Sequence, residues 1–345
     1  MKIKIVSFTK DGTKVSRKVV SILKEKGYEV EAFSKYPDEI VEKLEESIYE
    51  FTKKAFAEQV HGIIFVGALG IAVRAIAPNI VSKGKDPGVI VMDDMGRFVI
   101  PVLSGHIGGA NELAVYIAEE LRSTPVITTA TDGHGVFAVD TWAVKSQCSI
   151  LDISKIKYIS SALLMGRKVG FISDYPVEGD LPPGLEYGSE YEVGICISSD
   201  INRRPFKKTL NLVPKEYILG IGCKKNTPFN KLKEILNNTL NKKDISVQQI
   251  RNVASIDIKA KEEAILEYCK TEGIEFVTFS GEELLKVEGE FTSSAFVKSI
   301  TGVDNVCERS AQKAGEDLGA NLVLRKQSCD GVTVAISKIN WRCRF

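Results

Sequence analysis

The chain has 345 residues, enough for two or three domains with sizeable cores, and its 46 Lys and Arg against 45 Asp and Glu leave a net charge of +1. That balance supplies no basic field for general nucleic-acid binding, and no apolar run approaches the ~18 residues of a membrane helix. Seven scattered cysteines with no CxxC pair, and only three histidines, speak against a disulfide framework, a zinc site or a His-rich metal centre, and point to reduced thiols in the cytoplasm.

The opening MKIKIVSFTKDG reads as a first strand and turn, without the apolar region of a signal peptide. Val15, Val19, Ile22 and Leu23 then recur at helical spacing up to Gly27. EVEAF reads as a second strand, and IVEKLEESIYEFTKKAFAE as a second amphipathic helix. VHGIIFVGA is nearly all apolar, as a buried parallel strand is, and GALGIAVRAIAPNI follows as a small-residue turn and a helix ending before Pro78. The stretch DDMGRFVIPVLSGHIGGANE (93–112) is the densest in chemistry. Between the strand GVIVM and the amphipathic ELAVYIAEEL it reads as turn, strand, glycine-rich turn and helix start. PVITTATDGHG (125–135) adds a strand and a polar exit. Alternating strands and helices predict a parallel sheet covered by helices. Ligands of such sheets sit outside the carboxyl ends of the strands, so Gly67, Gly70, Arg74, His106, Thr131 and Asp132 are expected along one edge.

The alternation weakens from 136 to 215, where SDYPVEGDLPPGLEYG is loop-like. A second α/β domain starts at Glu216 with the strand and glycine turn YILGIGCKKNTP. It closes on two strands around a Cys-Asp-Gly turn in NLVLRKQSCDGVTVAISKI. The fold class expected is therefore α/β: two parallel-sheet domains, 1–135 and 216–340, joined by a smaller middle region, 136–215.

Several residues are candidates for chemistry. His106 lies in a glycine loop at a helix start, where it suits a general base near neutral pH or a carboxylate ligand. Asp93 and Asp94 could share a proton, although neighbours on a strand point to opposite faces, so a turn-forming pair explains them as well. Arg74 and Arg97 have the fork that suits carboxylates. Ser104 and Gly105 are candidate binding positions in the same loop, Gly108 and Gly109 would present backbone N–H groups at the helix start, and Asn111 could either cap that helix or bind. Glu308 opens the helix in VCERSA, where a first-turn glutamate either stabilises the helix dipole or serves the chemistry. Cys223 beside Lys224 and Lys225 could be a lowered-pKa thiol. His61 is expected to be structural. No dinucleotide fingerprint or P-loop is present, and GIGCKKNT is either an anion seat or a turn capped by Asn226 or Thr227.

GALGIAVRAIAP, KDPGVIVMDDMGRFVIPVLSGHIGGANELA and PVITTATD resemble the N-terminal domain of CbiG, the cobalt-precorrin-5A hydrolase family of anaerobic cobalamin biosynthesis. YILGIGCKKNTP, VASIDIKAKEEAI, FSGEELLKV and VCERSAQKAG resemble its C-terminal domain, the middle region matches loosely, and the closing NWRCRF has no counterpart. The resemblance implies a cobalt-tetrapyrrole substrate with acetate and propionate arms, whose δ-lactone is hydrolysed and a two-carbon unit lost as acetaldehyde. Cobalt would enter with the substrate, so no cofactor of the protein's own is expected. Nor is a nucleic-acid or membrane partner expected, while a homo-oligomer and transient contact with neighbouring pathway enzymes stay open. On this reading His106 is the base, oriented by Asp93 or Asp94. Gly108 and Gly109 would supply oxyanion donors, Arg74 and Arg97 would bind substrate carboxylates, and Glu308 is the alternative base. Two other classes stand beside it: a non-catalytic carrier of a corrinoid intermediate, and a nucleotide- or sugar-phosphate-binding protein.

Overall fold

A computed structural model describes residues 1–58, 60–82 and 84–345. The chain parts into two compact units, one of residues 1–142 and 160–167, the other of 143–159 and 168–345.

The first unit contains β1 (Lys2–Ser7), α1 (Lys10–Glu25), β2 (Glu29–Ser34), β3 (Glu42–Lys43), α2 (Ile48–Ala57), β4 (Gly62–Val66), α3 (Leu69–Ile76), β5 (Gly88–Met92), β6 (Phe98–Leu103), α4 (Ala110–Leu121), β7 (Thr124–Pro125), α5 (Ala130–Gly133) and α6 (Val139–Lys145, which runs into the second unit). Its sheet has the order β3-β2-β1-β4-β5-β6-β7. The central β4 and β5 are buried at every residue, which is why their sequences are continuous apolar runs rather than alternating ones. Ile5, Ile64, Ile90 and Val19 pack on one face of the sheet, and Phe51, Phe65, Ala72 and Val91 on the other. The second amphipathic helix is shorter than its periodicity suggests. It starts only at Ile48, where the Ser47 hydroxyl accepts from the Glu50 N–H, because residues 42–43 are drawn off as the edge strand β3.

One reversal decides the geography of this unit. β5 and β6 are joined by only five residues, too few for a parallel crossover, and they pair antiparallel, Met92 with Val99 and Val89 with Leu103. The loop after β6 therefore emerges at the amino edge of β1, β4 and β5. The loops after β4 and β5 emerge at the carboxyl edge, about 17–20 Å away along a six-residue strand. The single shared edge expected from the sequence is not formed. The strand expected over PVITTATDGHG shrinks to the two residues of β7, after which the chain turns into the short α5.

The second unit carries β8 (Cys148–Ile150), α7 (Ile156–Leu164, whose second half belongs to the first unit), β9 (Val169–Ser173), β10 (Val177–Glu178), β11 (Leu185–Tyr187), β12 (Val193–Ile197) and β13 (Lys208–Pro214). These form a sheet in the order β11-β9-β12-β13-β8, parallel except for β8. The middle region is thus an ordered α/β layer. Its strands are hard to read because Gly170 and Gly194 interrupt them, and both glycines lie under the Phe206 ring, 2.4 Å from where a Cβ would stand.

Then follow β14 (Tyr217–Cys223), α8 (Phe229–Asn241), β15 (Ile250–Ile256), α9 (Glu263–Glu272), β16 (Glu275–Phe279), α10 (Gly281–Leu285), α11 (Ala295–Thr301), α12 (Val306–Lys313), β17 (Asn321–Cys329), β18 (Val332–Lys338) and β19 (Cys343–Arg344). The sheet order is β16-β15-β14-β18-β17, with the last two antiparallel, over a core of Leu219, Leu232, Leu236, Ile265 and Tyr268. The closing residues fold back onto the middle layer. The Trp341 indole donates to the Ser146 carbonyl at 2.8 Å, β19 pairs with β10, and Arg342 and Arg344 both bind Glu178. No helix among the described residues is long and apolar enough to cross a membrane.

Candidate functional site

The amino edge of the first sheet gathers a polar cluster around His106. Two glycines allow the loop from β6 to α4 to fold so tightly. A Cβ at Gly108 would stand 2.5 Å from the Ser104 Cβ, and one at Gly105 would stand 2.4 Å from the Asn111 Oδ1. Ser104, itself at φ +53°, pins the loop by donating to the Asp86 carbonyl at 2.9 Å. His106 is thereby turned inward, its side chain only 9% exposed.

Both ring nitrogens face carboxylates. Nδ1 lies 3.2 Å from Oδ2 of Asp140, and Nε2 lies 3.0 Å from Oδ2 of Asp132, with the Thr131 hydroxyl at 3.3 Å. Ionised carboxylates only accept, so two carboxylate partners favour a ring protonated on both nitrogens, the imidazolium. The Asp140 hydrogen bond raises the His106 pKa, and the Asp132 contact adds to it against the opposing effect of burial. Asp140 is 2% exposed and lies behind the ring, whereas Asp132 is on the solvent side. Burial would raise the Asp132 carboxyl, but donation from Thr129, His106 and Asn111 outweighs it and holds the group below the usual carboxylate range. All three donors converge on Oδ2: Asn111 Nδ2 at 2.8 Å, His106 Nε2 at 3.0 Å, and the Thr129 hydroxyl. Oδ1 of Asp132 takes no hydrogen bond from the described residues. The result is a buried acid, an imidazole and an outer carboxylate in series, with one carboxylate oxygen left for a water or a substrate.

Family comparisons cover nearly the same chain. Family models described as cobalamin synthesis G N-terminal, cobalamin biosynthesis central region and cobalamin synthesis G C-terminus match residues 50–132, 137–214 and 217–337. A protein of Salmonella typhimurium named cobalt-precorrin-5A hydrolase is 33% identical over 79% of this chain and 81% of its own. The chain belongs to the cobalamin synthesis G family. A Priestia megaterium member, also named cobalt-precorrin-5A hydrolase, is 29% identical over 97% of this chain and 94% of its own. A crystal structure of a cobalamin biosynthesis protein G homolog from Sulfolobus solfataricus is 24% identical, covering 98% of this chain and 97% of that one, with a TM-score of 0.43. The names given to these family members are those of hydrolases of cobalamin biosynthesis.

For this family member the structure brings together Ser104, Gly105, His106, Gly108, Gly109, Asn111, Thr131 and Asp132. It sets apart Gly70, Arg74, Asp93, Asp94 and Arg97, which stand at the carboxyl edge. There Arg97 Nε binds Asp93 at 2.8 Å, the Arg97 and Phe98 N–H groups bind the same carboxylate, and the Thr9 hydroxyl donates to Asp94 at 3.3 Å. Arg74 lies along its own helix, donating to the Gly70 carbonyl at 3.3 Å. The acids that hold His106 are therefore Asp140 and Asp132, in place of Asp93 or Asp94. Of the two N–H groups expected to meet an oxyanion, that of Gly109 is bound to the His106 carbonyl at 3.0 Å.

Glu308, in the second unit, is fully buried. Its Oε1 accepts from the Thr292 hydroxyl at 2.8 Å and the Lys326 N–H at 2.7 Å, and its Oε2 from the Thr292 N–H at 2.8 Å. It ties the loop before α11 to β17. Burial raises the Cys223 thiol, the opposite of the lowering expected from its lysine neighbours. The helix after it is capped by neither Asn226 nor Thr227, since the N-cap of α8 is Pro228, without a side-chain cap, and the Thr227 hydroxyl donates instead to the Lys224 carbonyl at 2.7 Å. His61 is half-buried and stacks on Tyr28 at 6.0 Å, in keeping with a structural part. Asp140 and Thr129 escaped the sequence reading. Asp140 lies 34 residues beyond its histidine, in a segment without clear periodicity, and only the fold reveals the pairing.

Proposed function

We propose that this chain is a cobalt-precorrin-5A hydrolase, opening the δ-lactone of a cobalt-tetrapyrrole and releasing acetaldehyde, with the Asp140–His106–Asp132 series as its proton-transfer centre. Family membership supports the substrate, and the observation that carries the site is the carboxylate on each nitrogen of His106. A doubly bonded imidazolium is not a free base, so the roles divide. Asp132 takes a proton from water at its open Oδ1 as that water attacks the lactone carbonyl. His106 delivers its Nε2 proton to the departing ring oxygen, which becomes a hydroxyl. In the second step that hydroxyl returns its proton to the cluster and the carbon–carbon bond breaks. Acetaldehyde leaves, the bonding electrons pass into the conjugated macrocycle, and the macrocycle takes up the proton that Asp132 drew from water, which restores the cluster. Asp140 keeps the ring charged and oriented throughout.

Anaerobic incubation of the protein with cobalt-precorrin-5A, with acetaldehyde trapped and the corrinoid mass followed, tests this reading. One acetaldehyde per corrinoid is expected, and a loss of turnover in His106→Ala. A lactone that is bound but left intact by the wild type would support a carrier instead.

A further inference from the structure

We infer that the C-terminal domain holds a seat of its own for a flat, polycarboxylate macrocycle, in a cleft opened between the turn after β14 and the segment of α11. The identity of the ligand rests on the hydrolase reading above; the seat itself rests on the cleft. Its volume is about 1160 Å³, at the upper end of, or beyond, ordinary small-molecule pockets. Its wall includes Ile258, Phe296 and Ile300, which are 59%, 69% and 62% exposed. Three large apolar side chains left open on one cleft are a floor for an apolar face.

Around that floor stand lysines. Lys224, Lys225, Lys261 and Lys326 line the cleft and form no ion pair among the described residues. Of the lining acids, Glu262 is taken by Lys259 at 2.8 Å and by the Asn226 N–H, and Asp330 faces Lys231 at 3.6 Å. Glu263 and Glu267 remain, so unpaired cations outnumber unpaired acids. An apolar floor with separate point cations fits a ring whose acetates and propionates project at its periphery. A nucleotide would ask instead for a phosphate loop, which the GIGCKKNT turn does not provide.

The test is a titration of the full-length protein with cobalt coproporphyrin III, read by the shift of its Soret band, with the tetramethyl ester as control. The variants are Phe296→Asp with Ile300→Asp, and Lys225→Glu with Lys261→Glu; all four positions are exposed, and thermal melts check that folding is retained. A saturable shift is expected in the wild type. The apolar pair should weaken it by about tenfold or more, and the lysine pair by about three- to tenfold with a shallower salt dependence. The ester should bind equally to wild type and lysine variant. Wild-type affinity in either double variant would overturn the seat, as would the absence of a saturable shift or competition by ATP. The two readings fail separately. If the wild type binds the probe but releases no acetaldehyde from cobalt-precorrin-5A, the hydrolase falls and the seat stands. If either double variant keeps wild-type affinity for the probe while cobalt-precorrin-5A still yields acetaldehyde, the seat falls and the hydrolase stands.

Discussion

The two edges of the N-terminal sheet make opposite use of similar residues. At the carboxyl edge the glycine turn 67–70, an acid pair and two arginines have the composition of a binding site, yet Arg97 is paired with Asp93 and Arg74 donates to a carbonyl of its own helix, so they converge on no common point. At the amino edge, two segments, 106–111 and 129–132, bring Asn111, Thr129 and His106 onto a single oxygen of Asp132 and leave the other oxygen open. Composition alone does not distinguish the two. Convergence does, because a group whose partners fix one atom and spare another is held ready for a further ligand.

The largest effect that could break this contrast is on turnover. Asp132→Asn keeps the shape but removes the carboxylate, and is expected to lower kcat by about 10²- to 10⁴-fold, measured as acetaldehyde released per corrinoid. Wild-type turnover in that variant would move the chemistry elsewhere. Gly105→Ala should act by displacement, since the added methyl meets Asn111 at 2.4 Å and drives its amide off Asp132; a fall in kcat of about tenfold or more is expected, from a change that touches no charge.

Stability separates the amino edge from the buried acid of the second unit. Glu308→Gln replaces an acceptor-only group that holds two backbone N–H groups, and should cost roughly 1.5–3 kcal/mol in urea unfolding while the folded fraction keeps its kcat. A selective loss of kcat would restore Glu308 as a base.

The pH dependence sharpens the comparison further. His106 has a raised pKa, so its stabilising contribution is complete below its ordinary 6.5 and is lost as pH rises through the raised value. Asp132 has a lowered one, so its contribution is complete above its ordinary 3.8 and is lost as pH falls through the lowered value. The Tm difference between wild type and His106→Ala should therefore be widest between about pH 4 and 6.5 and shrink at higher pH. A flat difference across pH 5–9 would mean that the imidazolium is not formed. The smallest effect belongs to the carboxyl edge. Arg97→Ala breaks an exposed pair and should cost about 0–1 kcal/mol, with turnover within about threefold.

Much of the N-terminal fold was legible because burial writes itself into GIIFV and GVIVM as unbroken apolar runs. The edge assignment failed on a point the sequence did contain. Five residues between β5 and β6 permit only a hairpin, and a hairpin sends His106 to the other side from Arg74. Asp140 was illegible for a different reason, since its partner is chosen by tertiary approach and no local pattern marks it. The middle strands were hidden by glycines whose cause, the Phe206 ring laid across them, lies well downstream in sequence.

The return of Trp341 to Arg344 onto the middle layer sets an order of assembly. The indole reaches a carbonyl 195 residues earlier, and Arg344 meets an acid 166 residues earlier. While the chain is being synthesised, β10 has no partner strand and Glu178 lacks its two arginines until residues 342–344 have emerged. A middle region produced by itself would lack the indole donor to the Ser146 carbonyl and both arginines that bind Glu178, and should be less stable than the same region in the full chain.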